Sequence, residues 1–156
     1  MASKLPAGVC LREAAAGDLP GLLRLYLHLH ETALPQDGER LRSAWARILA
    51  DEGHHILVCE ADGELVASCV CVVVPNLTRD ARPYALIENV VTHALWRRRG
   101  LASACIERAI EIASAQNCYK VMLMTGAKDE GTLAFYRGCG FDAGEKTAFV
   151  RRLQAK

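Results

Sequence analysis

Charge of one sign is what this sequence most plainly lacks. Its 156 residues carry 19 Lys and Arg against 18 Asp and Glu, a formal net charge of +1. No global field therefore draws the chain to nucleic acid or to anionic lipid. Long apolar runs are missing too. No segment approaches the roughly 20 apolar residues of a membrane span, and the opening "MASKLPAGVC" has no run of signal-peptide length. These absences predict a cytoplasmic protein with neither a nucleic-acid nor a membrane partner. Paired cysteines are also absent. Cys10, Cys59, Cys69, Cys71, Cys105, Cys118 and Cys139 are an odd number scattered singly on apolar segments, without the CxxC spacing of a zinc site, so no metal is expected. Most read as reduced core residues behaving as small hydrophobes. The sequon Asn76-Leu77-Thr78 carries no meaning without a secretory signal. There is no low-complexity stretch and no internal repeat, and the length fits one domain, 1–156, able to bury a proper core.

What is present is a regular succession of elements. Val9 to Ala14 reads as a short strand, and Asp18 as the N-cap of a helix with Pro20 early and Leu22, Leu25 and Leu29 on one stripe, ending near Leu34-Pro35. A second helix runs from Gly38 to Glu52, with Leu41, Trp45, Ile48 and Leu49 on one face. His55 to Ala61 and Glu64 to Val74 are β-rich and joined by Asp62-Gly63, a strong hairpin signal. The polar stretch "PNLTRDARP" is a loop, and Tyr84 to Thr92 the next strand. A helix from Arg98 or Arg99 to Gln116, a strand "YKVMLMTG", a short helix over Gly131 to Gly138 and a last hairpin "FDAGEKTAFVRRL" complete the chain. The order is β-α-α-β-β-β-α-β-α-β-β, an α/β domain with a mixed central sheet flanked by helices.

The stretch "WRRRGLAS", Trp96 to Ser103, poses a question. A helix N-terminus carries the positive end of the macrodipole and unpaired N–H groups, so Arg97, Arg98 and Arg99 sit at its unfavourable end. A bound pyrophosphate reverses that penalty, and Gly100 lets the backbone come close to it. There is no Walker-type G-x-x-x-x-G-K-S/T and no G-x-G-x-x-G. What remains is R-x-x-G-x-A, followed about thirty residues later by "AFYRGCGF", Ala134 to Phe141. In these two blocks, and in the order of elements around them, the chain resembles the GNAT superfamily of acyl-CoA-dependent N-acetyltransferases over nearly its full length.

The resemblance implies acetyl-CoA as co-substrate, with a GNAT-like fold. It assigns Val90, Val91 and Thr92 to the strand whose free backbone groups pair with the pantetheine arm. It assigns Arg97, Arg98, Arg99, Gly100, Leu101, Ala102 and Ser103 to the pyrophosphate, held through backbone amides. One departure stands out: the family's usual Asn seven residues before the motif tyrosine is here Asp129, whose acceptor-only carboxylate cannot donate to pantetheine as an amide does. A homodimer follows from the resemblance alone.

Acyl transfer to an amine needs the amine neutral, the oxyanion stabilised and the leaving thiolate protonated. By the resemblance Tyr136 is the acid; a phenol of pKa about 10 is close enough to a thiol near 8.5 to donate. The alternative is a packing tyrosine that only orients the thioester. Glu88 interrupts an apolar strand, where an unpaired carboxylate is costly. It therefore faces water or a cleft as base, or else makes a structural ion pair with an arginine; Asn89 is its neighbour. A backbone N–H near Val91 serves the oxyanion. His28, His30, His54 and His55 lack metal-ligand spacing and read as surface or satisfied histidines, while His93 is a possible proton relay. Glu31, Asp37 and Glu39 belong to the loop that in this family shapes the acceptor pocket. The expected reaction is acetyl transfer from acetyl-CoA to a primary amine of a small molecule or peptide, by direct attack in a ternary complex. The competing expectation is a catalytically silent acyl-CoA-binding or interaction module on the same fold.

Overall fold

In the computed structural model, which describes residues 5–29 and 31–155, the sheet grows out from the Asp62-Gly63 turn. Both turn residues are left-handed, Asp62 at φ 50° and Gly63 at φ 80°, the conformation that a two-residue type I′ hairpin requires. β2 (His54–Ala61) and β3 (Glu64–Val74) leave the turn as antiparallel neighbours. β1 (Val9–Glu13) pairs with the outer edge of β2, and β4 (Tyr84–Thr92) runs antiparallel to β3. β5 (Val121–Leu123) joins β4 in parallel, giving one mixed sheet of five strands in the order β1-β2-β3-β4-β5. This sheet belongs to the first of two compact units, residues 1–123; residues 124–156 form the second.

Helices cover both faces of the sheet. On one, α1 (Leu19–Tyr26) and α2 (Glu39–Ala50) lay Leu22, Leu25 and Trp45 against Ile56, Val58, Val70 and Val91. On the other, α3 (Leu101–Ala115) buries Leu101, Cys105, Ile106 and Ala109. Its Cys105 sulfur lies 3.6 Å from that of Cys59, and the Cys71 thiol donates to the Ala109 carbonyl at 3.8 Å. The small thiols let α3 approach the sheet closely, and each large aliphatic side chain so buried stabilises the fold by roughly 1.5–3 kcal/mol. Among the described residues no helix is long and apolar enough to cross a membrane.

Several sequence expectations need correction. α1 stops at Tyr26 instead of near Leu34-Pro35. The amides of Leu27, His28 and Leu29 bond to the carbonyls of Arg24, Leu25 and Tyr26, three residues back, a tightening typical of a helix end. Asp18 precedes α1 but does not cap it with its side chain. Its carboxylate takes Arg12 Nη1 at 2.6 Å and Nη2 at 3.0 Å instead, together with the Ala15 amide at 2.7 Å. A two-pronged charge-assisted contact outcompetes a neutral cap. The loop after β3 holds one left-handed turn, Thr78–Ala81, with Arg79, Asp80 and Ala81 at φ 57°, 61° and 56°. β5 is three residues long, much shorter than "YKVMLMTG".

In the second unit, α4 (Glu130–Gly138) forms as expected, but the last hairpin does not: residues 141–155 contain no strand. Phe149 and Leu153 are 93% and 86% exposed. An isolated two-stranded hairpin is marginal in water without a face to bury. The Asp142 carboxylate also accepts the Gly144 amide at 2.7 Å, a local turn that competes with a ladder.

Candidate active site

The centre of the site is an irregularity in β4. Ser68 of β3 pairs with Val91, while Val70 pairs with Glu88, so Asn89 and Val90 together oppose the single residue Cys69. Asn89 takes up the extra length at φ 50°, a left-handed conformation that Asn tolerates better than most residues. The bulge resets the side-chain alternation. Glu88, opposite Val70, and Val91, opposite Ser68, come to the same face although three residues apart, a spacing that regular pleating places on opposite faces. Glu88 is exposed on that face, and among the described residues it takes part in no ion pair. The pairing of β4 with β5 stops at Ile87 opposite Leu123, which leaves that edge of β4 without a β5 partner from Glu88 to Thr92.

β4 runs on through a tight turn into α3. His93 caps the turn Ala94–Trp96, its Nδ1 accepting the Leu95 amide at 3.2 Å. The arginines then divide their roles. Arg97 Nε donates back to the Thr92 carbonyl at 3.4 Å, and the Arg99 guanidinium lies 4.7 Å from the centre of the Trp96 ring. Arg98, at φ 61°, and Gly100, at φ 79°, are both left-handed. Gly100 is the N-cap of α3, so the amides of Leu101, Ala102 and Ser103 open the helix without intrahelical acceptors. The space above Gly100 is clear: a Cβ built there meets nothing within 4 Å. Free amides, the dipole and room for a close approach make this turn fit a pyrophosphate.

Beside the bulge lies a cavity of about 410 Å³ bounded by α1, α2 and the sheet, with Tyr26, His54, Glu88 and Asn89 as its polar lining. Burial pushes the Tyr26 phenol up to about 12, although a hydrogen bond from Asn89 opposes the shift. Burial likewise lowers His54, with Asp51 opposing and His55 reinforcing. Both are uncharged at neutral pH.

The sequence pattern of the Acetyltransferase (GNAT) family matches residues 19–141. The chain belongs to the GNAT family. As a GNAT chain it is an acyltransferase, and its resemblances run through most of its length. It is 34% identical to a glucosamine 6-phosphate N-acetyltransferase of Trypanosoma brucei brucei, across 87% of this chain and 90% of that protein. Among solved structures, an acetyltransferase described as putative from Agrobacterium tumefaciens is 44% identical with a TM-score of 0.84, over 92% of this chain and 99% of that one. An acetyltransferase of Trypanosoma brucei is 30% identical with a TM-score of 0.79, over the same shares.

The second GNAT block falls in the unit 124–156. Tyr136 sits half-buried on α4 with its ring 5.0 Å from that of Phe135. Asp129 is the N-cap of α4, its Oδ1 accepting the Thr132 amide at 2.8 Å. That bond holds its carboxyl below the usual range. The departure from the family's Asn thus still serves as a cap. In the first unit, the His28 and His93 rings are 4.2 Å apart, and His30 lies outside the described residues. Glu31, Asp37 and Glu39 are exposed, Asp37 bound to Arg42 at 2.7 Å, and none of them lines the cavity beside Glu88. Tyr26 escaped the sequence reading, and Asn89 entered it only as the neighbour of Glu88. Tyr26 was signalled by its place four residues after Leu22 on the α1 stripe. Asn89 was signalled as a residue prone to φ > 0 inside an apolar strand.

Proposed function

We propose that this chain transfers an acetyl group from acetyl-CoA to a primary amine by direct attack in a ternary complex. The observation that carries the reading is the continuity of one segment. The unpaired edge of β4, the bulge that presents Glu88, and the anion-ready start of α3 follow one another within sixteen residues, Glu88 to Ser103. In this reading acetyl-CoA supplies the activated acyl carbon. The backbone of Val90, Val91 and Thr92 aligns the pantetheine arm, and the turn from Arg97 to Ser103 grips the pyrophosphate. Asp129 stands at the position of the family's pantetheine-contacting Asn. Glu88 takes a proton from the incoming ammonium and passes it to solvent, freeing the lone pair, and takes a second as the nitrogen bonds to the thioester carbon; a backbone N–H near Val91 stabilises the oxyanion. Tyr136 gives a proton to sulfur as the carbon–sulfur bond breaks with its electron pair on sulfur. Proton count and charge balance across the two residues, which reset through solvent.

The test is isothermal titration with acetyl-CoA, paired with an assay of free thiol over an amine panel. Saturable binding is expected in the wild type. Gly100→Glu abolishes it by adding strain at φ 79° and a carboxylate at the helix N-terminus, while Gly100→Ala, carrying the strain alone, retains part of it. Tyr136→Phe lowers turnover about 10–100-fold with acetyl-CoA affinity unchanged. Binding that survives Gly100→Glu moves the cofactor site elsewhere; tight binding with no thiol release from any amine marks a silent acyl-CoA binder.

A further inference from the structure

The cavity beside the bulge says more about the acceptor than the family does. We propose that the acceptor is a primary amine carried on an apolar body, an arylalkyl- or alkylamine, seated between α1, α2 and β4 with its ammonium against the Glu88 carboxylate. This rests on the acetyltransferase reading and narrows its substrate class.

Three observations converge. The walls are apolar: ten of the fourteen lining residues are Leu, Ile, Val, Ala or Trp. At about 410 Å³ the cavity falls in the range of small-molecule sites, roughly 300–1,000 Å³. The polar groups are few, and three of the four lie together. Glu88 and Asn89 are adjacent on β4, and Asn89 hydrogen-bonds Tyr26. The charge pattern is the deciding one. Among the described residues no Lys or Arg lines the cavity, and Glu88 is the single carboxylate there; Tyr26 and His54 are uncharged at neutral pH for the reasons given above. An ammonium therefore finds its counter-charge, and an apolar body finds walls that release water from both surfaces.

A phosphosugar meets the opposite conditions. Its phosphate is a dianion that needs Arg, Lys or a set of free amides, and its hydroxyls need more donors and acceptors than Tyr26, His54 and Asn89 supply. The glucosamine 6-phosphate in the name of the trypanosomal relative is for this reason not carried over to this chain.

The experiment uses the intact protein. Acetyl-CoA binding is measured by titration, and thiol release is followed with 2-phenylethylamine and with glucosamine 6-phosphate at matched concentrations. The expected result is a kcat/KM for 2-phenylethylamine higher by about 100-fold, since an uncompensated charge is rejected far more strongly than a missing methylene. Ala44→Phe, on the exposed side of α2 but lining the cavity, raises the KM for 2-phenylethylamine about tenfold or more with acetyl-CoA affinity unchanged. Glucosamine 6-phosphate used equally well or better overturns the proposal. So does a KM indifferent to Ala44→Phe, or acetyl-CoA binding without release from 2-phenylethylamine; in each of these, thiol release from glucosamine 6-phosphate or another amine of the panel keeps the acetyltransferase reading standing. Failure to bind acetyl-CoA at all brings down the acetyltransferase reading and this inference with it.

Discussion

Ser68 is fully buried on β3, and its hydroxyl has no hydrogen-bond partner among the described residues. A buried polar atom left unpaired costs about 1–3 kcal/mol, whereas removing it leaves only a small void. Ser68→Ala is therefore expected to raise the unfolding free energy by about 1 kcal/mol in urea titrations with an unchanged m-value; a loss of stability means that the hydroxyl is satisfied in solution. His28 makes a different residue-level prediction. Its imidazole is held below the ordinary 6.5, by desolvation first and then by the nearby His93 and Arg97. Folding thus favours the neutral ring. The associated stability is intact above the ordinary imidazole value and is lost as pH falls through the lowered one. A titration of the ring resonances by NMR should show His28 below the ordinary imidazole value, and moving upward in Arg97→Gln. A His28 that stays put in that variant removes Arg97 as a cause.

At the scale of elements, the bulge in β4 links stability to chemistry. Asn89→Val places a β-branched residue at φ 50°, at a cost of about 1–3 kcal/mol, and returning the strand to regular pleating turns Val91 away from the face of Glu88. Turnover should fall with acetyl-CoA affinity little changed, because the anion-binding turn begins eight residues later, at Arg97. Asn89→Gly, which accepts the same φ, should recover most of the activity; if it does not, the Asn89 side chain acts through Tyr26. The same element shows where a sequence is readable. Asp62-Gly63 announces its turn because few other residues take both left-handed positions, and R-x-x-G-x-A announces its own because Gly100 is the left-handed N-cap of α3. The bulge is written in one Asn amid apolar residues, and the register that exposes it depends on β3, about twenty residues earlier in the chain. The Arg12 contacts with Asp18 and with Glu60, at 2.5 Å, depend on how β1 pairs with β2, so local rules gave Asp18 to a helix cap. The final hairpin was read from residue types alone, and Phe149, Val150 and Leu153 find no face to bury in their own unit.

At the scale of the whole molecule, the cysteines report how tightly the sheet unit is closed. Cys59, Cys69, Cys71 and Cys105 are fully buried, whereas Cys10 is exposed. Only thiolates attack disulfide reagents, and the core disfavours them. Burial, with smaller contributions from Cys118 and Glu13, pushes Cys71 up to about 11. The hydrogen bond with Cys105, then burial, raises Cys59 further. For Cys105 the Cys59 bond works downward, but the Cys69 bond and burial outweigh it. Access and ionisation are thus both withheld until α3 leaves the sheet, and α3 shares its packing with β2, β3 and β4 at once. The core thiols should therefore react together, about 10³-fold or more slowly than Cys10, at a rate set by the global opening equilibrium of a protein stable by at least about 5 kcal/mol. Labelling with an aromatic disulfide reagent, read peptide by peptide by mass spectrometry across a urea series, checks this. A common urea slope matching the equilibrium m-value identifies one cooperative core. If Cys105 labels early and with a shallow slope while Cys71 stays protected, the N-terminal half of α3, which carries the anion-binding turn, opens separately from the sheet, and acetyl-CoA should then slow Cys105 labelling selectively.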